Sequence, residues 1–185
     1  MRHRSKLPDQ RIDSGADGGL ALVALTESGL PLIRRWLGAP HVARWWNPAE
    51  AGIAEIAAHL RGDSVAPFLM ERQGRPVGYL QIYRADGDPF WSGHDLPRET
   101  HGVDLFIGES EVVGRGLGPR FLRLAVARLF AMPEVARIHI DPDPHNAAAI
   151  RAYEKAGFSR VGLIETPDGP ALYMTQRRPG SRRAG

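Results

Sequence analysis

The stretch HGVDLFIGESEVVGRGLG, residues 101–118, places an alternating apolar run with one aspartate just before a cluster of glycines that includes an arginine. The alternation in GVDLFIG (102–108) is the two-residue period of a β-strand, whereas LGPRFLRLAVARLFAM (117–132) repeats its apolar residues at helical spacing and stops before Pro133. GRGLG (114–118) therefore falls at a strand-to-helix turn. Gly114, Gly116 and Gly118 permit positive φ and close backbone approach, and a helix start offers unpaired N–H groups at the positive end of its dipole. Such a turn can hold a phosphate by main chain alone, with Arg115 adding charge. It is not a Walker loop, because it lacks the Gly-Lys-Ser/Thr ending, nor a dinucleotide fingerprint. Asp104 also stands out, since an acid within an otherwise apolar strand needs a partner or a function.

Downstream, VARIHI (135–140) reads as a strand and PHNAAAIRAYEKAG (144–157) as a helix closed by Gly157. Asn146, Ile150, Tyr153 and Gly157 follow at intervals of four, three and four and share one helical face. FSRVGLIET (158–166) and PALYMTQ (170–176) form a closing hairpin around Pro-Asp-Gly. Upstream, LALVAL (20–25) is a strand, Thr26 is an N-cap candidate for a helix through ESGLPLIRRWL (27–37), and Pro48 opens a helix through AEAGIAEIAAHLRG (49–62). APFLMER (66–72) and PVGYLQIYR (76–84) are two strands joined through Gln-Gly-Arg-Pro. Residues 85–100, rich in Asp, Gly and Pro, read as a long loop carrying Phe90 and Trp91. Antiparallel hairpins with one strand–helix–strand crossover make a mixed α+β or α/β fold.

The chain has 185 residues, 43% hydrophobic and 24% charged, enough for one compact domain. We expect residues 20–178 to form it, between flexible tails at 1–19 and 179–185. With no cysteine, a disulfide framework, a zinc–thiolate site and a cysteine nucleophile are excluded. The basic start is followed by no apolar segment, and no apolar run reaches membrane-spanning length, so a soluble, cytoplasmic protein is expected. The net charge is +3, but many basic residues sit in MRHRSK and RRPGSRR at the ends, while acids cluster in RADGDPFWSGHD (84–95) and HIDPDPHN (139–146). That distribution fits neither nucleic acid nor membrane as a partner.

A strand, a GRGLG turn into a helix, a further strand, and then NAAAIRAYEKAGF (146–158) together resemble the Gcn5-related N-acetyltransferases (GNAT), which use acetyl-coenzyme A and no metal. The resemblance implies a mainly antiparallel mixed sheet flanked by helices, with a splayed parallel strand pair at the acetyl-CoA site. It implies cofactor contacts from Phe106, Ile107, Val113, Gly114, Arg115, Gly116, Leu117, Gly118, Pro119, Asn146, Tyr153 and Lys155. Val113 stands where that family usually has Gln or Arg, which alters one side-chain contact and not the backbone cradle. HVARWW (41–46), GVDLFIG, IDPDPHNAAAIRAYEKAGF and TPDGPALYM (166–174) look more narrowly like the aminoglycoside 6'-N-acetyltransferases. This likeness implies that Asp104 binds the substrate amine and removes its proton, that Tyr153 protonates the departing thiolate, and that Asp141 and Asp168 line the substrate pocket.

The residue chemistry agrees, because a polycation needs several carboxylates to hold and steer it. Asp86, Asp88, Asp95, Asp104, Asp141, Asp143 and Asp168 supply them, although Asp86, Asp95 and Asp143 read equally as solvated turn residues. Trp46 and Trp91 are candidates to wall the cleft, with core packing the competing reading for one of Trp45 and Trp46. A bulge near Phe106 and Ile107 is expected to free N–H groups for the thioester carbonyl. The expected protein is an antibiotic-resistance acyltransferase acting on an aminoglycoside or similar small polyamine, as a monomer or weak homodimer. A hydroxylysine acetyltransferase of siderophore type and a noncatalytic acyl-CoA sensor are the alternatives.

Overall fold

The computed structural model describes residues 11–15, 19–85, 88–94, 96 and 100–180. The two expected tails lie largely outside these residues, as do Asp86 and Asp95. One eight-stranded sheet runs β1 (Ile12–Asp13), β2 (Leu20–Ala24), β3 (Val65–Arg72), β4 (Arg75–Arg84), β5 (Thr100–Ile107), β6 (Arg137–Ile140), β8 (Gly169–Arg177) and β7 (Ser159–Thr166). Every neighbouring pair is antiparallel except β5 and β6.

Two local signals worked as the chemistry requires. Gln73 and Gly74 both take positive φ, 51° and 75°, in the tight turn between β3 and β4, the backbone twist that suits a two-residue hairpin. Helix α6 (Ala147–Ala156) starts where the Asn146 side chain accepts from the Ala149 N–H and ends at Gly157 with φ 107°. Two expectations are corrected. Thr26 caps no helix: its hydroxyl pairs with that of Ser28, a single 3-10 turn (Glu27–Gly29) follows, and α1 (Leu30–Leu37) begins with Pro31 in its first turn. The long loop contains a short helix, α4 (Pro89–Ser92), because Asp88 Oδ1 accepts from the N–H groups of Phe90 and Trp91.

Helices cover both faces. On one side α5 (Leu117–Phe130) buries Leu117, Phe121, Leu122, Ala125, Val126 and Leu129 against Leu80, Ile82, Val103 and Ile138, with α6 beside it. On the other, α1, α2 (Pro40–Ala43) and α3 (Ala49–His59) pack Ile33, Trp36, Leu37, Val42, Ile53 and Ile56 around Tyr79 and Phe106. A third cluster, Tyr83, Ala85, Trp91 and Tyr173, lies beneath α4.

The feature that positions the site is a mismatch of strand lengths. β4 accompanies β5 from His101 through Ile107 without a register break, whereas β6 pairs only Arg137, Ile138 and His139 with Thr100, His101 and Gly102. β5 therefore runs without a bulge through Phe106 and Ile107, and only just past its end do two successive N–H groups, of Gly108 and Glu109, donate to one carbonyl, that of Val77. Beyond Gly102 the two parallel strands have separated. The freed β5 backbone comes from that divergence.

Candidate active site

A cleft of about 1080 Å³ opens along the gap between β5 and β6. One end of it is the glycine turn. Gly114 and Gly116 have φ of 75° and 72°, and no atom lies within 4 Å of where a Cβ would stand on Gly114, Gly116 or Gly118. Gly116 precedes α5 with no side chain capping the first turn, so the N–H groups there are left to a ligand. Val113, Gly114, Gly116, Leu117, Gly118 and Pro119 all border the cleft, and Asn146, Tyr153 and Lys155 border it from α6. Arg115 does not: it lines a smaller neighbouring cavity with Arg72, Glu111 and Arg120. The Asn146 carboxamide oxygen is already engaged in capping α6.

Along β5, a Cβ on Gly78 would lie 2.4 Å from the Phe106 carbonyl oxygen, so the Phe106 main chain faces β4. Alternation turns the main chain of Leu105 and Ile107 toward the gap, and the Ile107 carbonyl there lies 3.1 Å from His41 Nε2. The N–H groups available to a carbonyl in the gap thus belong to Leu105 and Ile107, and not to Phe106. The Phe106 ring stacks on Tyr79 and meets Trp46 edge to face.

At the other end of the cleft Asp88, Asp104, Asp141 and Asp168 converge. Asp104 is half-buried on β5 opposite Gln81 and accepts from Gln81 Nε2 at 2.8 Å. Its carboxyl is raised to about 6, chiefly by burial, with the Gln81 hydrogen bond pulling it down and the charges of Glu55 and Asp88 pushing it up. Asp141 goes higher, to about 8, through burial and the charges of Asp104, Asp88 and Asp168. Asp168 is exposed in the turn between β7 and β8. Tyr153 is buried, and burial with the Asp104 and Asp141 charges raises its hydroxyl well above the ordinary phenol value, so it keeps its proton.

The aromatic candidates divide. Trp46 is half-buried at the cleft wall against Tyr79 and Phe106. Trp91 borders the cleft but is only 5% exposed, wedged against His139 and Tyr173. Asp143 bonds the His145 main chain and ring in an exposed turn, the role of a turn residue. Sequence reading missed two residues of α3 that line the cleft: Glu55, whose charge acts on Asp104, and His59, which reaches Gln81. Their helical positions carry no signal that distinguishes them from a solvated face. Among the described residues no group of His, Asp or Glu is arranged to hold a metal ion, and no helix is long and apolar enough to cross a membrane.

These features can be set beside known proteins. Residues 26–166 match the family model of the acetyltransferase (GNAT) domain. An aminoglycoside N(6')-acetyltransferase type 1 of Klebsiella pneumoniae is 38% identical over 181 residues, covering 93% of this chain and 90% of that one. A lysine N-acyltransferase of Mycolicibacterium paratuberculosis is 30% identical over 175 residues, 89% of this chain and 79% of the other. Among solved structures, an aminoglycoside acetyltransferase in complex with coenzyme A and kanamycin superposes with a TM-score of 0.80 at 39% identity, over 86% of this chain and 95% of that chain. The split β5–β6 pair, the uncapped glycine turn and these matches agree, and the chain is a member of the GNAT acetyltransferase family.

Proposed function

We propose that this protein transfers an acetyl group from acetyl-CoA to the 6'-amine of an aminoglycoside. The observation that carries the substrate reading is the convergence of Asp88, Asp104, Asp141 and Asp168 in one cleft, where burial and the charges of the other three hold Asp141 at about 8. A set of carboxylates that repel one another when the cleft holds only water is complementary to a ligand with several ammonium groups. The relatives that act on aminoglycosides support the same choice.

Acetyl-CoA supplies a thioester as acetyl donor. The open glycine turn and the N–H groups at the start of α5 bind its pyrophosphate, and the gap between β5 and β6 takes the pantetheine arm. Asp104 accepts the proton that the substrate ammonium must lose before its nitrogen can attack, directly or through a water. The Leu105 and Ile107 N–H groups face the gap where negative charge develops on the carbonyl oxygen. As the new C–N bond forms and the C–S bond breaks, Tyr153 gives its proton to the departing sulfur, and the second proton that the new amide nitrogen must shed restores the phenol. Asp88, Asp141 and Asp168 hold the remaining amines.

The test is coenzyme A release with kanamycin, spermidine, lysine and hydroxylysine as acceptors, followed by mass spectrometry of the product. Acetylation of kanamycin at the 6' nitrogen, with little turnover of the others, is the expected result. Preferential turnover of hydroxylysine overturns the substrate assignment but not the family.

A further inference from the structure

Strand β4 carries two buried polar side chains on the face that meets Asp104. Gln81 stands directly across the β4–β5 ladder from Asp104, and its Nε2 donates to Asp104 Oδ2 at 2.8 Å. Two residues earlier, Tyr79 donates from its hydroxyl to Gln81 Oε1, also at 2.8 Å. Tyr79 is fully buried between the Trp46 and Phe106 rings, and Gln81 is 8% exposed.

This chain of hydrogen bonds has only one polarity. An ionised carboxylate can only accept, so the NH2 of Gln81 must face Asp104 and its oxygen must face Tyr79. Burial and the Asp104 and Glu55 charges raise the Tyr79 hydroxyl well above its usual value, so it stays protonated and donates. Tyr79 therefore holds the Gln81 amide in the orientation that the carboxylate requires, with His59 also in reach of it, and Gln81 in turn holds the carboxylate. We propose that Tyr79 and Gln81 are positioning residues for the acetyl transfer, a two-step relay that locks the Asp104 side chain and keeps it ionised in a cleft crowded with other anions. The proposal rests on Asp104 acting as the proton acceptor.

The groups that face Asp104 from the packed elements make the need plain. They are Glu55 from α3, Tyr79 and Tyr83 from β4, Asp88 at the start of α4, Asp141 beyond β6, and Tyr153 from α6, while His59 of α3 reaches Gln81. Burial, Glu55 and Asp88 all push the carboxyl up, and the Gln81 amide pulls against them. A neutral amide achieves this without introducing a cation that would repel the substrate ammonium.

Gln81→Met keeps the side-chain length and removes the donor, while Tyr79→Phe removes one oxygen and with it one of the bonds that hold the Gln81 amide. Two readouts apply to the full-length protein: the pH profile of kcat/KM for kanamycin, and the carboxyl 13C titration of Asp104, assigned with Asp104→Asn. In Gln81→Met both midpoints should rise together by about one pH unit, and in Tyr79→Phe by less in the same direction, with the acetyl-CoA Kd unchanged. If Gln81→Met does not fold, Tyr79→Phe decides alone. An Asp104 titration that stays put in the folded variants overturns the relay. A titration that moves while the activity profile does not overturns the role of Asp104 as proton acceptor, as does full turnover in Asp104→Asn.

Discussion

In the proposed reaction Asp104 must be charged to collect an ammonium group and basic enough to take its proton. Burial serves the second requirement by raising its carboxyl to about 6, nearer to neutrality than an ordinary aspartate. The sign for catalysis follows: the base is ionised above that value and protonated below it, so kcat/KM should fall as pH drops below about 6. Steady-state rates across pH check this, and a flat profile between about pH 5 and 7 would exclude Asp104 as the titrating base. Asp104→Asn should lower turnover on the order of 10²- to 10⁴-fold while the thermal shift given by acetyl-CoA survives. Tyr153→Phe retains the ring that packs on Phe158 and loses the proton donor, so a fall in kcat on the order of 10²-fold is expected, with KM little changed. Unchanged kcat would leave Tyr153 a packing residue. At this scale the sequence was informative where a residue broke its local pattern. Asp104 did so, as a lone acid in an apolar strand. Gln81 and Glu55 did not, because their importance arises from strand register and from how α3 docks, neither of which is written in their own neighbourhoods.

The glycine turn, α5 and α6 were legible for the same reason: their glycines, apolar spacing and capping asparagine act through contacts within a few residues. The splay of β5 from β6 was implied by family likeness, but its cause was misread. A bulge is a property of one strand pair, whereas the real opening comes from an eight-residue strand beside a four-residue one. Helix α4 was hidden because Asp, Gly and Pro signal a loop until Asp88 is seen to cap the turn. The turn before α5 yields its own prediction. Gly116 holds φ 72° with open space beside it, so a side chain there is strained by conformation and also fills the room needed by a phosphate. Gly116→Val should therefore abolish the rise in melting temperature caused by acetyl-CoA. Val113→Ala, at an exposed position just before the turn, should leave that rise nearly intact. A Gly116→Val protein that is still stabilised by acetyl-CoA would place the pyrophosphate elsewhere.

For the molecule as a whole, net charge and local charge have opposite signs: the chain carries +3, yet one cleft gathers Asp88, Asp104, Asp141 and Asp168. That arrangement has a cost that depends on pH. Asp104 and Asp141, pushed up to about 6 and about 8, hold protons in the folded state that they would release in the unfolded chain. The folded state then binds more protons than the unfolded state from the ordinary carboxylate range near ~4 upward, so stability should decline as pH rises through about 4 to 8. A polycation that enters the cleft reverses this, because it favours the ionised carboxylates and needs them. Kanamycin should accordingly raise the melting temperature more at about pH 7.5 than at about pH 5.5, where Asp141 is protonated and Asp104 largely so. Asp141→Asn should flatten that difference and raise the melting temperature of the drug-free protein at the higher pH, since it removes the most strongly opposed charge. A kanamycin shift independent of pH, with Asp141→Asn no more stable than the parent, would mean that the four carboxylates do not act as one charged site, and the polycation reading would lose its physical basis.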